Sequence, residues 1–256
     1  MIVLPQYPRT LHLGDSGGQQ SKHHCPFGEV EGLHVAIEEK VDGSHCGLAF
    51  DVEAELRVFS RNTVLERSPA QRDFRPLARL AREQVDGLWD VLSDRYVLYG
   101  EWTWATHSIF YDALPTFFLE DDVFDRKAGR FLSTLGRRTL VSKLPVGFDC
   151  SVALLHEGTV SGLDALRSMV GPSHYKSPRW RERCPAVASV EDTDLMEGLY
   201  IKVESEAFVE RRLKWIRPTF LGHIASAPGH WRDRPTMKNL LAERAAVAAT
   251  DTGADR

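Results

Sequence analysis

The sequence predicts an α+β fold in which antiparallel sheets are flanked by helices. Short runs rich in β-branched and aromatic residues recur along the chain and are separated by turn residues. One long stretch instead repeats apolar residues every three or four positions, which is typical of an amphipathic helix. Because strands and helices do not alternate at the regular spacing of βαβ units, antiparallel pairing is favoured over a parallel sheet.

Composition indicates an ordinary globular protein, with 43% hydrophobic and 27% charged residues in a chain of 256. No apolar run approaches the roughly 18 residues that span a bilayer, and the N-terminus lacks a signal-peptide pattern. The four cysteines are scattered and form no C-x-x-C pair, which is typical of reduced thiols. We therefore expect a cytoplasmic protein that is not associated with a membrane.

Net charge does not by itself indicate a nucleic-acid partner. The formal net charge is −4, whereas nucleic-acid binders usually have a basic balance or a strong basic stripe. A positive surface for RNA would therefore have to be local.

The predicted elements begin after residues 14–22, a glycine- and glutamine-rich segment that predicts a mobile loop. Three strands are then predicted, at Leu33–Glu39, His45–Phe50 and Leu56–Ser60. A turn sequence, Asp42-Gly43-Ser44, separates the first two strands and predicts that they form a hairpin.

The middle of the chain changes from strand to helix and back. Apolar residues at helical spacing predict a helix from Arg72 to Asp94 that packs on a sheet. Further strands are predicted at Tyr96–Trp102, Thr116–Phe124 and Cys150–Leu155. A short helix follows, with Ser161 as its N-cap and Gly171-Pro172 as its stop.

The C-terminal part opens with a segment, 173–194, that is rich in proline and charge. Cations beside aromatics within it could contact a nucleic-acid backbone, but a solvated helix face is the favoured interpretation. Strands are predicted at Gly198–Val203 and Arg212–Ile216, and a terminal helix at Thr236–Ala249.

The segment Glu38-Glu39-Lys40-Val41-Asp42-Gly43-Ser44 is the strongest candidate for chemistry. By itself, K-x-D-G could be no more than a lysine beside a tight turn. Other charged motifs follow in order, and each also has a plain explanation as a strand edge, a turn or a solvated face. Their joint occurrence favours function; they are Phe59-Ser60-Arg61-Asn62, Leu98-Tyr99-Gly100-Glu101-Trp102, Phe117-Phe118-Leu119-Glu120-Asp121-Asp122, Glu197-Gly198-Leu199-Tyr200-Ile201-Lys202 and Arg212-Leu213-Lys214-Trp215.

This ordered set resembles the motifs of the covalent nucleotidyltransferase superfamily, which contains ATP-dependent DNA and RNA ligases and mRNA capping enzymes. The nearest resemblance is to the phage RNA ligase 2 type and its bacterial relatives. It implies one nucleotidyltransferase domain over residues 1–256, of ATP-grasp-like ligase fold, with a motif core at about 33–220 and a C-terminal extension at 221–256. No appended OB domain is expected.

The resemblance implies that Lys40 becomes covalently attached to AMP, with Glu197 and Lys214 as the other catalytic residues. Glu197 is also the expected ligand of a divalent metal, Mg²⁺ or Mn²⁺. Phe118 is expected to stack on adenine, with Phe117 as the alternative, since strand alternation puts only one of them into a pocket. The residues expected to bind the nucleotide are Glu39, Arg61, Glu101, Phe118, Lys202 and Arg212.

Elementary chemistry adds one requirement. Lysine is a nucleophile only as the neutral amine, so its pKa must be lowered by burial or nearby positive charge. We expect that charge to come from Lys202, Arg212 and Lys214.

Two departures from the family pattern stand out. Arg212 replaces the first lysine of the fifth motif, K-x-K, and arginine is not freely interchangeable with lysine around phosphate. Glu120, Asp121 and Asp122 bring more acidic residues than usual to the third-motif aromatic segment, facing either metal or solvent.

The resulting hypothesis is an ATP-dependent RNA ligase that joins a 5′-phosphate to a 3′-hydroxyl through lysyl-AMP and an adenylylated RNA end. The expected partners are RNA ends and ATP, and a partner protein that binds or processes RNA ends is left open. The alternatives are a DNA ligase, a capping-type guanylyltransferase, or a non-catalytic nucleic-acid-binding module of the same fold.

Overall fold

Two six-stranded sheets form the framework of the computed structural model, which describes residues 7–16, 23–60, 63–65, 72–185, 189–227 and 235–243. The strands within these ranges are β1 (Leu11–Leu13), β2 (His24–Cys25), β3 (Val35–Lys40), β4 (Ser44–Phe50), β5 (Leu56–Ser60), β6 (Thr63–Val64), β7 (Tyr96–Trp102), β8 (Phe118–Asp125), β9 (Arg130–Phe131), β10 (Leu154–Gly158), β11 (Gly198–Glu204) and β12 (Val209–Ile216). The α-helices are α1 (Arg75–Glu83), α2 (Val85–Leu92), α3 (Thr134–Val141), α4 (Leu163–Arg167), α5 (Trp180–Arg183) and α6 (Pro218–Ser226).

The first sheet has the strand order β10-β3-β11-β12-β1-β2, and the second has β6-β5-β4-β7-β8-β9. Pairing is antiparallel except around β1, which runs parallel to both β12 and β2. The predicted α+β class with antiparallel sheets is therefore confirmed.

Each sheet buries one face under helices. Helices α1 and α2 cover the second sheet, where a cluster includes Leu48, Leu77, Leu88, Leu98 and Phe118. The first sheet packs against α4 through a cluster that includes Leu13, Ile37, Leu166, Leu199 and Leu213. The opposite faces of the two sheets carry the charged side chains that meet between them.

The predicted hairpin is wrong. Strands β3 and β4 follow each other across Asp42-Gly43-Ser44, yet β3 pairs with β10 and β11 whereas β4 pairs with β5 and β7. The turn therefore carries the chain from one sheet to the other. Local turn chemistry predicts a reversal of direction, but it does not determine the partner of each strand.

Several predicted helices are corrected as well. The stretch 72–94 is two helices that meet at Gln84, and the helix predicted after Ser161 is only the five residues of α4. The terminal helix is wrong over 236–243, because this segment is extended and forms bridges to Ala105 and Leu114. Its remainder, and most of the predicted loop 14–22, lie outside the described residues.

Helices α3 and α6 were not predicted from the sequence. Helix α3 carries a glycine, two adjacent arginines and few apolar residues, so it lacks an apolar stripe. Its N-cap is nevertheless a standard one, because the Ser133 hydroxyl accepts a hydrogen bond from the backbone of Gly136. The strand predicted at Cys150–Leu155 starts later, at Leu154.

No helix among the described residues is long and apolar enough to cross a membrane.

Candidate active site

A cavity of about 390 Å³ lies where the two sheets meet. Strands of both sheets line it, together with the N-terminal segment that precedes β1. Its charged and aromatic lining residues are Tyr7, Arg9, Glu39, Lys40, His45, Glu101, Asp121, Glu197, Tyr200 and Lys214.

Lys40 reaches this cavity because it ends β3, and its side chain lies on the same strand face as that of Glu38. Its register partner on β11 is Gly198, which follows directly after Glu197. A Cβ atom at Gly198 would lie 2.1 Å from the carbonyl oxygen of Trp215, so only glycine allows β11 to approach β12 this closely. The Lys40 Nζ lies 2.7 Å from the Glu197 Oε1.

The turn after Lys40 is anchored by a loop that follows β7. The Asp42 carboxylate accepts hydrogen bonds from the backbone N–H groups of Ser108 (2.8 Å) and Ile109 (3.0 Å). The backbone N–H of Asp42 donates in turn to the Tyr111 hydroxyl at 2.8 Å. These bonds fix the chain immediately beyond the lysine.

The electrostatics of the cavity contradict the expected low pKa of Lys40. Burial lowers the pKa of Lys40, but the carboxylates of Glu197 and Glu101 outweigh this effect and raise it. Burial raises the pKa of Glu197 to about 7 and that of Glu101 well above its usual value, although Lys40 opposes both shifts. Without ligands, the amine is therefore held as an ammonium ion.

The expected cationic neighbours occupy different surroundings. Lys214 lines the cavity, and its register partner on β11 is Tyr200. Arg212 instead pairs with the Asp122 carboxylate at 3.2 Å and stacks on the ring of Phe131 at 3.8 Å. Arg212 therefore lies beside the cavity and is already paired.

Lys202 lies fully buried beneath the cavity. Its Nζ is 2.9 Å from the Glu38 Oε2 and 3.1 Å from the Asp122 Oδ1, and it also donates to the carbonyl of Asp121. Burial and the nearby Arg137 lower the pKa of Lys202. In this structure Lys202 connects the two sheets and does not line the cavity.

Arg137 of α3 is a fully buried residue that the sequence analysis missed. Its guanidinium pairs with Glu38 of the first sheet and, at 2.5 Å, with Glu120 of the second. The acidic cluster of the third motif is thereby explained. Glu120 and Asp122 are paired inside the protein, and Asp121 faces the cavity.

A comparison of the whole sequence with family models agrees with the ordered motifs and with the contact between Lys40 and Glu197 in the cavity. The RNA ligase family model matches residues 33–216, which is well over half of the chain. The chain belongs to the RNA ligase family. No curated protein matches the sequence.

Solved RNA ligase structures share this fold. One lysine-to-alanine mutant of Naegleria gruberi RNA ligase with ATP and Mn has a TM-score of 0.54 at 20% identity, over 77% of this chain and 53% of that chain. A glutamate-to-alanine mutant of the same ligase with AMP and Mn has a TM-score of 0.53 at 21% identity, over 76% of this chain and 53% of that chain. The chain thus spans about half the length of these ligases.

Two residues expected to bind the nucleotide point elsewhere. Phe118 is fully buried under the helices, where it packs on Phe148 with 5.3 Å between ring centroids. Phe117 packs on Trp104 at 4.8 Å, so neither phenylalanine lines the cavity. In this structure neither ring is placed to stack on a nucleotide in the cavity, whereas Asp121, at the β-bulge between Glu120 and Asp122, lines it.

Glu39 has hydrogen-bond partners within the protein. Although it borders the cavity, its carboxylate accepts hydrogen bonds from the Ser173 hydroxyl (2.5 Å) and the His174 backbone (2.9 Å). Adjacent residues of a strand face opposite sides, so the carboxylate points away from the Lys40 face. Arg61 lies outside the described residues.

The aromatic side chains that do line the cavity are Tyr7, His45 and Tyr200. The ring of Tyr7 lies 4.1 Å from that of His45, and its hydroxyl lies 2.5 Å from that of Tyr200. His45 comes directly after the Lys40 motif, but no periodic pattern marks Tyr7. Only the tertiary structure brings the N-terminal segment to the site.

The charged segment 173–194 forms its own ion pairs. Trp180 is buried, with the Lys176 Nζ 3.7 Å from its ring centroid. Arg181 pairs with Asp192 at 2.7 Å and with Asp194 at 2.8 Å. This pairing agrees with a solvated face and gives no support to a nucleic-acid contact.

Proposed function

We propose that this chain is an ATP-dependent RNA ligase that forms lysyl-AMP at Lys40. The observation that carries the proposal is the position of the Lys40 amine, 2.7 Å from Glu197 in a cavity bordered by Glu101 and Lys214, in a member of the RNA ligase family. The Naegleria ligase structures with ATP or AMP and Mn support nucleotide and metal as cofactors.

The first step joins the Lys40 nitrogen to the α-phosphorus of ATP. The bond from that phosphorus to the bridging oxygen breaks, pyrophosphate leaves, and the amine loses a proton. The Glu197 carboxylate raises the pKa of the ammonium ion beside it, so the amine can lose its proton to solvent once added positive charge in the site offsets this carboxylate. Lys214 also lines the cavity, and its ammonium group would neutralise phosphate charge.

The later steps transfer and release AMP. An oxygen of the RNA 5′-phosphate attacks the α-phosphorus, the phosphorus–nitrogen bond breaks, and Lys40 regains its proton. The 3′-hydroxyl then attacks the phosphorus of the RNA end, and AMP leaves as the phosphodiester forms. Each step needs in-line positioning and neutralised charge more than additional acid–base groups.

The carboxylates of the cavity fit a divalent cation. Among the described residues, the Glu101 Oε2 and Asp121 Oδ1 are buried without a hydrogen-bond partner. No cluster of three or more ligating side chains is present in that part of the chain, but magnesium commonly takes one or two carboxylates together with substrate phosphates and water. Glu197 and Glu101 would hold Mg²⁺ or Mn²⁺. When bound, this cation neutralises phosphate charge and lowers the pKa of the adjacent ammonium.

The decisive experiment measures covalent nucleotide on Lys40. The protein is incubated with Mg²⁺ and either ATP or GTP labelled at the α-phosphate, then denatured and examined for retained label. We expect label from ATP on the wild type, none on Lys40→Ala, and wild-type label on Lys143→Ala, which removes an exposed lysine outside the cavity.

Absence of label on the wild type, or undiminished label on Lys40→Ala, would contradict the covalent mechanism. Label from GTP alone would favour guanylyl transfer. Sealing is then assayed on nicked RNA, nicked DNA and single-stranded RNA that carry a 5′-phosphate and a 3′-hydroxyl. We expect a joined RNA product.

A further inference from the structure

A second cavity, of about 520 Å³, adjoins the one that contains Lys40. Residues of β1, β2 and β12 line it, so it lies along the edge of the first sheet. Arg9 borders both cavities, because the segment that precedes β1 runs between them. A substrate that spans the two cavities would pass this side chain.

Charges in the second cavity are mostly paired within the protein. The Glu29 carboxylate pairs with Arg211 at 2.7 Å, and the Glu210 carboxylate pairs with Arg130 at 2.5 Å. Arg9 is exposed and forms no ion pair within the described part of the chain. Its guanidinium is therefore available to a ligand from outside.

The position of Arg9 is fixed although its side chain is exposed. Tyr7, two residues earlier, donates a hydrogen bond to the Asp122 Oδ2 at 2.5 Å, and Arg212 lies 4.2 Å above its ring. The carbonyl of Pro8 accepts a hydrogen bond from the Arg212 Nη2 at 3.4 Å. The segment is thus attached to the buried charges beside the cavity, and Arg9 projects from an anchored backbone.

We propose that Arg9 binds the 5′-phosphate of the RNA end and that the second cavity holds the adjoining nucleotides. A guanidinium presents a planar fork that matches phosphate oxygens in a two-pronged contact. The 5′-phosphate must reach the AMP on Lys40 while the RNA strand leads away from it, and Arg9 borders both the cavity of Lys40 and the cavity beside it. This inference rests on the proposed function and assigns a substrate contact outside residues 33–216, the range that the family model matches.

The test compares the binding of two nicked RNA duplexes that differ only in a 5′-phosphate or a 5′-hydroxyl at the nick. Fluorescence anisotropy without ATP gives the Kd of each duplex. We expect Arg9→Ala to weaken binding of the phosphorylated duplex by about tenfold, the size of one charge-assisted contact, and to leave the hydroxyl duplex within about twofold. Arg9→Lys keeps the charge and should recover part of the loss.

The matched control is Arg79→Ala, which removes an exposed arginine of α1 outside both cavities and should change neither Kd. Tyr7→Phe tests the anchor, because it removes the hydroxyl that bonds to Asp122. If Tyr7 acts by positioning Arg9, Tyr7→Phe should cause no further loss of affinity for the phosphorylated duplex when residue 9 is already alanine.

Two outcomes would overturn the inference. An equal loss for both duplexes would show that Arg9 contributes only general attraction to the RNA backbone. A weakened affinity for ATP with unchanged discrimination between the duplexes would assign Arg9 to the phosphates of the nucleotide. Label on Lys40 of the wild type, measured on the same preparation, reports on the proposed function separately.

Discussion

Lys40 and Glu197 determine each other's protonation state because they lie 2.7 Å apart in a buried cavity. The carboxylates of Glu197 and Glu101 raise the pKa of the lysine, whereas the expected effect of nearby cations was to lower it. Of the expected cations, Lys202 and Arg212 are paired with acidic groups beside the cavity. The amine therefore needs its surroundings to change, by ligand or metal, before it can act as a nucleophile.

Replacing Glu197 with glutamine should lower the pKa of Lys40 in the metal-free protein, since it removes the nearest negative charge but keeps the shape of the side chain. The measurement is the rate of Lys40 acylation against pH, followed by mass spectrometry of the labelled peptide. The reactive fraction should appear at lower pH in Glu197→Gln than in the wild type.

Glu83→Gln provides the control for this experiment, because Glu83 is an exposed residue that pairs with Arg79 on α1. Glu83→Gln should leave the dependence of the Lys40 acylation rate on pH unchanged. The same profile in Glu197→Gln and the wild type would show that Glu197 does not determine the pKa of the lysine.

At the scale of elements, the C-terminal segment 235–243 supports the loop that anchors the Lys40 turn. Asn239 is 1% exposed, and its Oδ1 accepts hydrogen bonds from the Thr106 hydroxyl (2.7 Å) and the Tyr111 backbone (2.9 Å). Its Nδ2 donates to the carbonyl of Thr103 at 2.7 Å. Tyr111 in turn accepts the hydrogen bond from Asp42, so the extended segment acts on the site through two contacts.

Asn239→Ala should lower the free energy of unfolding by about 2–4 kcal/mol, because three buried polar groups lose their partner. Urea unfolding measures this change. Lys238→Ala, next to it, should cost less than about 1 kcal/mol, since it removes only an exposed cation above Trp104. Equal losses in both variants would argue against the hydrogen bonds of Asn239 as the cause.

At the scale of the whole molecule, the two sheets are joined by buried charges as well as by apolar packing. Arg137 pairs with Glu38 of one sheet and Glu120 of the other, and Lys202 extends the contact to Asp122. Such a network is costly to desolvate and becomes unfavourable when one partner is removed. It makes the relative position of the sheets, and with it the cavity, depend on a few side chains.

Arg137→Met should reduce the free energy of unfolding by about 3–5 kcal/mol, because it removes the guanidinium that pairs with the buried carboxylates of both Glu38 and Glu120. Chemical denaturation followed by circular dichroism gives the value. Arg79→Met, an exposed substitution, should remain within about 0.5 kcal/mol of the wild type. A loss below 1 kcal/mol in Arg137→Met would contradict a structural role for the network.

Local patterns in the sequence were sufficient for the fold class and for most strands. Strand and helix periodicity depends on neighbouring residues, so the α+β class and strands such as Tyr96–Trp102 could be predicted without a partner in view. The resemblance of the ordered motifs to a known family indicated Lys40, Glu101, Glu197 and Lys214, and the structure brings all four to one cavity.

Pairing across the chain was decided only by the tertiary structure. The turn at 42–44 joins two different sheets and does not close a hairpin, because the strands that pair with β3 lie more than a hundred residues away in sequence. Helix α3 has no apolar stripe, since its buried residue Arg137 is matched by distant carboxylates. Contacts between residues distant in sequence also determine the orientation of Phe118, the raised pKa of Lys40 and the position of Tyr7 beside the cavity. Each depends on which residues are neighbours in space, and a local pattern does not specify that.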